Sequence, residues 1–171
     1  GHALHPHWLT LGASLAVADA LRDAGRVAAA PTWPDTVEVA DVACGGSAGS
    51  RRIAAVRVDR SSSSGEPWTV SLVVNVGLGL RELGDGTTSV YAEAGVTDRP
   101  TLVAAITREM VRRVDQWWSG SQDLVNDYIS RTRSMGSLVV LPDGTGRVVS
   151  VDSTARLVVV LQDGGRATIP S

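Results

Sequence analysis

Residues 31–39 read Pro-Thr-Trp-Pro-Asp-Thr-Val-Glu-Val, and this stretch decides how the rest of the chain is interpreted. A helical pattern ending near Gly25 precedes it, and an apolar run resumes at Ile53. A tryptophan and two prolines beside an acid predict a rigid loop at a strand edge with an aromatic wall. Such a concave, partly apolar loop is typical of a ligand-binding site.

The composition excludes several classes of protein. The chain has 171 residues, a formal charge of -2 and no basic run, so we expect no nucleic-acid partner. No apolar segment approaches the roughly 20 residues that span a bilayer, so we expect no membrane partner. One cysteine, Cys44, excludes an intramolecular disulfide, and together these features predict a cytoplasmic globular protein. All 16 basic residues are arginine, so no lysine is available for any role.

The first half predicts a helix followed by strands. Apolar spacing predicts an amphipathic helix over about 10–24, capped by Thr10, with Asp19 on its polar side. His2, His5 and His7 are interpreted as a mobile terminus rather than a metal site, and no metal ligands are expected. Strands are predicted at 27–30, 37–42 and 52–59, with 44–50 as a glycine-rich hairpin turn.

The strongest strand signal lies at 68–80, which predicts a central strand flanked by helices. Gly77 and Gly79 near its end would let a ligand approach the backbone. A second amphipathic helix is predicted from Arg99 to about 118, with Arg113 on its polar side, and a shorter one at 124–129. The core-facing stripe of the helix that begins at Arg99 is predicted to comprise Leu102, Val103, Ile106, Met110, Val111, Val114 and Trp117.

After Arg131 the pattern changes to short β-runs at 137–141, 146–152, 156–162 and 166–169, separated by Pro-Asp-Gly and Asp-Gly-Gly turns. Four short strands in so few residues indicate a small barrel of the SH3 type. We therefore predict two domains, 1–130 and 131–171.

Several motifs, in order, resemble those of the biotin protein ligase family over essentially the whole chain. Residues 32–36 are similar to the family's Lys-Trp-Pro-Asn-Asp, and 51–59 to its Arg-Lys-Leu-Ala-Gly-Ile-Leu-Val-Glu. Residues 73–80 are similar to Val-Ile-Gly-Ile-Gly-Ile-Asn-Val, and 87–90 to Ala-Thr-Ser-Leu. Residues 135–139 match the entry into the family's C-terminal domain.

The resemblance implies a fold, a chemistry and partners. The fold is α+β: a mixed sheet packed with helices, the class II synthetase-like catalytic fold, incomplete here, followed by an SH3-like barrel. The chemistry is ATP-dependent formation of biotinyl-5′-adenylate and transfer of biotin to a carrier-protein lysine. Biotin and ATP with Mg are the implied cofactors, biotin carboxyl carrier protein the implied partner, and a homodimer the implied assembly.

The resemblance also assigns candidate site residues and shows where this chain departs from the family. Thr32 and Arg52 occupy the positions of two family lysines, and Ala55 replaces a glycine. The family's Gly-Arg-Gly-Arg loop would lie N-terminal to the residues present here. The full set of implied ligand-binding residues is Trp33, Pro34, Asp35, Arg52, Ala55, Gly77 and Gly79.

Three interpretations follow. The chain is a degenerate ligase homologue, a pseudoenzyme that keeps the fold as a binding or interaction protein. Alternatively, it is one subunit of an active ligase whose glycine-arginine loop is on a separate chain. The third interpretation is a fragment of a longer, active ligase.

Overall fold

In a computed structural model, the described residues form two four-stranded antiparallel sheets and four helices. The structure describes residues 2–40, 49–60, 67–79, 81–95, 98–142 and 144–170. The predicted turn at 44–50, with Cys44, falls largely outside them.

The first sheet has the strand order β1-β2-β3-β4, and the second has the order β5-β6-β7-β8. The strands of the first sheet are β1 (Ala29–Thr32), β2 (Thr36–Ala40), β3 (Ser50–Arg60) and β4 (Trp68–Val74). Those of the second are β5 (Leu138–Leu141), β6 (Gly144–Val151), β7 (Leu157–Leu161) and β8 (Arg166–Ile169). The helices are α1 (His7–Asp23), α2 (Val90–Ala94), α3 (Arg99–Trp118) and α4 (Gln122–Arg131).

Helix α1 is the centre of the molecule, because its residues from Trp8 to Leu21 are buried, apart from the half-buried Thr10. It starts earlier than predicted, after Pro6, and Thr10 lies inside the helix rather than at its cap. Gly25 ends it as predicted, since a Cβ there would come 2.7 Å from the carbonyl oxygen of Leu21.

The N-terminal segment is anchored, which corrects the predicted mobile terminus. The Leu4 amide donates to the carbonyl of Trp117 at 3.0 Å, and the Trp117 indole donates to the carbonyl of His5 at 3.3 Å. His7 already belongs to α1. These two hydrogen bonds hold the N-terminal segment against the end of α3.

Strand β4 lies at the edge of the first sheet in the described part of the chain, not at its centre as predicted. Its apolar content serves one face only: Leu72 and Val74 pack on the helices, while Val73 on the other face is 65% exposed. After Val74 the backbone bonds to α2, where the Val90 amide donates to Asn75 at 3.0 Å. The named strand pairings are all antiparallel, so the predicted mixed sheet is not found among them.

A buried charge network joins α1, α3 and α4. Asp19 accepts hydrogen bonds from Arg113 at 2.8 Å and from Arg131 at 2.6 Å, and Arg113 also binds Asp127 at 2.6 Å. The side chain of Arg113 is 1% exposed and that of Asp19 is 8% exposed. Both residues were predicted on polar helix faces. They are buried because α1 packs against the first sheet on one side and against α3 and α4 on the other, so that its polar face meets those helices.

The two hydrophobic cores share α1. One core packs α1 against the first sheet through residues such as Val17 and Leu21. The other core includes Trp8, Leu11 and Leu15 of α1, side chains of α3 and α4, and the buried side chains of the second sheet. Helix α1 therefore contributes side chains to both cores.

Candidate functional site

The loop at 33–35 is the turn between β1 and β2, and Trp33 ties it to the second sheet. The bond between Trp33 and Pro34 is cis. The Trp33 amide donates to the hydroxyl of Ser134, and its indole Nε1–H donates to the carbonyl of Ala155, each at 3.0 Å. The Trp33 ring is thus a contact between the two halves of the molecule, and it also lines a cleft at their junction.

Pro34 and Asp35 face the opposite side, towards α1 and β3. They line a small cleft together with His7 and Arg57. The Asp35 carbonyl accepts a 2.8 Å bond from the Val56 amide. Burial raises the pKa of Tyr128, and the charge of Asp35 raises it further, so that Tyr128 is a neutral phenol.

Thr32 and Ala55 fall in one cross-strand row on the open face of the first sheet. Thr32 pairs with Thr36, Thr36 with Ala55, and Ala55 with Val73. Directly opposed residues of antiparallel strands share a face. The row Thr32–Thr36–Ala55–Val73 therefore crosses all four strands, and none of its side chains carries a charge.

Arg52 lies on the same face but opposite an acid, because it pairs across the strands with Glu38. Its neighbour Arg51 has a more enclosed role that sequence reasoning missed: Arg51 binds Glu93 at 3.0 Å. Glu93 also accepts a hydrogen bond from the Thr88 hydroxyl. A guanidinium is thus fixed between β3 and α2 for structural reasons, while Arg52 is exposed.

The glycines after β4 contact charged side chains rather than open space. A Cβ at Gly77 would lie 2.8 Å from Nη2 of Arg99, so the guanidinium rests against the glycine backbone. The Gly79 amide donates to Glu82 at 2.8 Å. Neither Arg99 nor Glu82 was among the site residues predicted from the sequence. Gly77 and Gly79 lie beyond the end of β4, whereas Thr32 and Trp33 lie at the end of β1, on the opposite edge of the sheet.

A cleft of about 370 Å³ lies where the end of β1 meets the second sheet. Its polar lining includes Thr32, Glu38, Ser50 and Arg133. The Thr32 hydroxyl is buried and has no hydrogen-bond partner. Glu38 accepts a 2.5 Å bond from Ser50. Arg133 was not among the predicted residues; its position after α4 gave no sequence signal.

Among the described residues, no group of three or more His, Cys, Asp or Glu side chains is placed to hold a metal ion. None of the helices in the described part is long and apolar enough to cross a membrane.

The fold and the loop together define a class: a two-sheet α+β protein with a helix shared between the sheets and a Trp-Pro turn at their junction. No family model matches the chain. The chain is 29% identical, over 96% of its length, to the biotin–[acetyl-CoA-carboxylase] ligase of Mycobacterium tuberculosis. It spans 60% of the length of that relative.

Solved structures give the same result for the fold. The apo biotin protein ligase from Aquifex aeolicus superposes with a TM-score of 0.79 at 18% identity, covering 96% of this chain and 73% of that one. The same ligase in complex with biotin and ATP gives 0.78 at 19% identity, covering 98% and 69%. A biotin protein ligase-like protein of unknown function from a Silicibacter species gives 0.72 at 16% identity, covering 99% and 74%. The predicted resemblance to the biotin protein ligase family is confirmed: the mycobacterial relative shows it in sequence, and the solved structures show the same fold.

Proposed function

We propose that this chain is a biotin protein ligase homologue that does not form biotinyl-5′-adenylate by itself. The observation that carries this proposal is the neutral cross-strand row Thr32–Thr36–Ala55–Val73, which contains two positions, Thr32 and Ala55, that the family resemblance assigns to the site. Joining a carboxylate to ATP requires cations placed where negative charge develops. The cations on that face of β3 lie beside acids: Arg52 is opposite Glu38, and Arg57 forms an ion pair with Asp59.

The expected loss of activity is large. Removing one stabilising group from a preorganised site typically costs about 10²- to 10³-fold in rate. Arginine at position 52 keeps a charge, but a guanidinium does not reproduce the reach and point charge of an ammonium. Thr32 supplies no charge. The retained function is then binding of a biotin-type ligand or of a carrier protein, without chemistry on ATP and Mg.

The test measures binding and chemistry separately. Calorimetric titration with biotin, ATP and a non-hydrolysable biotinyl-adenylate analogue measures binding, and biotin transfer to a carrier domain measures chemistry. We expect no transfer. Transfer above the rate without protein would refute the proposal.

A gain-of-function variant sharpens this test. Thr32→Lys combined with Ala55→Gly restores a cation and removes a Cβ on the same row, and we expect it to bind the adenylate analogue at least about tenfold more tightly. The matched control is Thr69→Lys, which adds a lysine to an exposed position of β4 on the same face. Equal binding by the two variants would contradict the assignment of this row as the ligand site.

A second candidate function is a ligase subunit completed by another chain. It is favoured by the outer edge of β4. The Asn75 amide donates to the Ile53 carbonyl, which fixes which residues of β4 bond to β3. The backbone groups of the alternate residues Val70, Leu72 and Val74 therefore point away from β3. An edge of this kind pairs readily with a further strand. We propose that a second copy or another chain covers it. A sedimentation experiment showing only monomer at high concentration would count against the homodimer.

We also propose that the second sheet closes as an SH3-like barrel and that the domain boundary lies near 131. The β5–β8 meander supports the first proposal and the helix-to-strand change supports the second. An experimental structure showing an open second sheet would overturn the barrel.

A further inference from the structure

We propose that the cleft between the two sheets is a binding site for a small apolar molecule with one anionic group, and that Arg133 is its anion-binding residue. This inference does not depend on ligase chemistry. The cleft shares only Thr32 and Trp33 with the residues that the family resemblance singled out.

The first observation is an available cation. Arg133 is half-buried at the cleft. Its backbone is held, because its amide donates to the Pro31 carbonyl at 3.0 Å. Within the described ranges its guanidinium forms no ion pair and donates no hydrogen bond. A guanidinium carries five N–H donors, and those of Arg133 are free to bind a ligand.

The second observation concerns the other charges of the cleft. Among the described lining residues the one acid, Glu38, accepts a hydrogen bond from Ser50 and lies opposite Arg52 across the strands. Glu38 therefore has a cationic neighbour of its own, and the charge left for a ligand is that of Arg133. The Thr32 hydroxyl has no hydrogen-bond partner, but it also has no solvent-accessible surface, so a ligand in the cleft does not reach it. An anion is therefore the group that the cleft would bind, through Arg133.

The rest of the lining specifies the body of the ligand. Trp33 and the aliphatic side chains of Val139, Leu157 and Ile169 form the apolar wall. A volume of about 370 Å³ is at the lower end of the range for small-molecule sites. The ligand class is therefore an apolar body of small size bearing a carboxylate or a phosphate.

The site is also fixed in place before a ligand binds. The Ser134 hydroxyl accepts from the Trp33 amide at 3.0 Å, and the Ser137 hydroxyl donates to the Ser134 carbonyl at 2.7 Å. The Thr132 hydroxyl donates to Pro31 at 3.0 Å. These bonds hold the 132–137 segment against the end of β1, so binding does not have to order the segment.

The test is an NMR titration of the full chain with three probes of equal chain length: octanoate, octyl phosphate and 1-octanol. We expect the two anions to shift the amide signals of Thr32, Arg133 and Ser134 and the indole signal of Trp33 in a saturable way. Octanol should bind at least about tenfold more weakly, since a charge-assisted bond to arginine is lost. The comparison of the two anions distinguishes a carboxylate site from a phosphate site.

Variants test the role of Arg133. Arg133→Gln should weaken octanoate binding at least about tenfold, while Arg133→Lys should retain part of it. The control is Arg166→Gln, an exposed arginine on β8 outside the cleft lining, which should bind like the parent. Equal binding of octanol and octanoate, unchanged binding by Arg133→Gln, or no saturable shift with any probe at millimolar concentration would overturn the proposal. Thr32→Val, which keeps the shape and removes a hydroxyl that a ligand in the cleft does not reach, is a second control and should bind like the parent.

Discussion

At the scale of single residues, the largest difference from expectation is the burial of Asp19 and Arg113. Helical periodicity places each of them opposite an apolar stripe, which in most surface helices means exposure to solvent. Here α1 contacts other elements on all sides, so its polar face is satisfied by arginines of α3 and α4. Periodicity alone cannot distinguish a solvated polar face from one that pairs with another helix.

Removing the carboxylate of Asp19 should be strongly destabilising. Asp19→Ala leaves Arg113 buried with only Asp127 as an acidic partner, and breaking a buried ion pair on one side costs about 3–5 kcal/mol. The measurement is the free energy of unfolding from urea denaturation. Asp23→Ala, an exposed position of the same helix, is the control and should cost less than about 0.5 kcal/mol. Equal effects of the two substitutions would show that the network contributes no stability.

Asp152 should make stability depend on pH in the acid range. Burial alone would raise its pKa, but hydrogen bonds from Thr154 and from Arg156 outweigh this and lower the pKa to about 2. A carboxyl group whose pKa is lower in the folded state stabilises the fold above its unfolded pKa of about 3.9, and this contribution disappears as the pH falls through about 2.

The variant Asp152→Asn should therefore be about 1–2 kcal/mol less stable than the parent at pH 6, and this difference should shrink towards pH 2. Unfolding by urea at a series of pH values measures it. Asp85→Asn, at an exposed position, is the matched control. A difference that stays constant between pH 6 and pH 2 would contradict the assignment.

At the scale of elements, the apolar stripe of α3 is only partly buried. Leu102 and Trp117 face the core as predicted, but Val103 is 61% exposed and Val111 is 58% exposed. The stripe is wider than the surface that α1 and the first sheet offer it. Sequence periodicity gives the direction of a helix face and not the width of its partner.

Substitutions at neighbouring positions of α3 should therefore differ in cost. Leu102→Ala removes a side chain that is 3% exposed and should cost about 2–4 kcal/mol in the free energy of unfolding. Val103→Ala should cost less than about 0.5 kcal/mol, because alanine has the higher helix propensity and little buried surface is lost. Thermal and urea unfolding of the pair provide the measurement, and comparable losses would mean that Val103 is covered in solution.

The strands show which parts of the fold the local sequence pattern predicts correctly. The four strands after Arg131 agree with the sequence prediction to within two residues, helped by the Gly-containing turns that follow β5 and β7. Strand β4 was correctly found as a strand but was placed at the wrong position in the sheet. A strand with one buried and one open face can consist almost entirely of apolar residues. Its neighbours in the sheet are set by tertiary packing, which the local sequence pattern does not encode.

At the scale of the whole molecule, the shared helix α1 should make unfolding cooperative. The core of the second sheet includes Trp8, Leu11 and Leu15 of α1, so neither sheet retains a complete core without the other. We expect a single transition, with coincident midpoints for helix content by far-ultraviolet circular dichroism and for tryptophan packing by near-ultraviolet signals. Two separated transitions would indicate that the segments before and after 131 fold independently.

The candidate ligand site stays a prediction, because the sequence named its positions and not their contacts. Thr32 and Ala55 share one row of the first sheet, whereas Gly77 and Gly79 lie beyond the strand at the opposite edge. The partners of Thr32 and Trp33 could not be foreseen, because Arg133 and Ala155 reach these two residues from about a hundred residues further along the chain. Such long-range neighbours depend on how the two sheets meet.

The bond from the Trp33 indole to Ala155 also gives a direct observable for that junction. The indole proton is held against a carbonyl on the other side of the molecule and exchanges with solvent deuterium only when this contact opens. Its exchange rate, followed as one resolved resonance, reports how often the two halves separate. A ligand held in the cleft would slow that exchange without changing the rate at amides far from the junction.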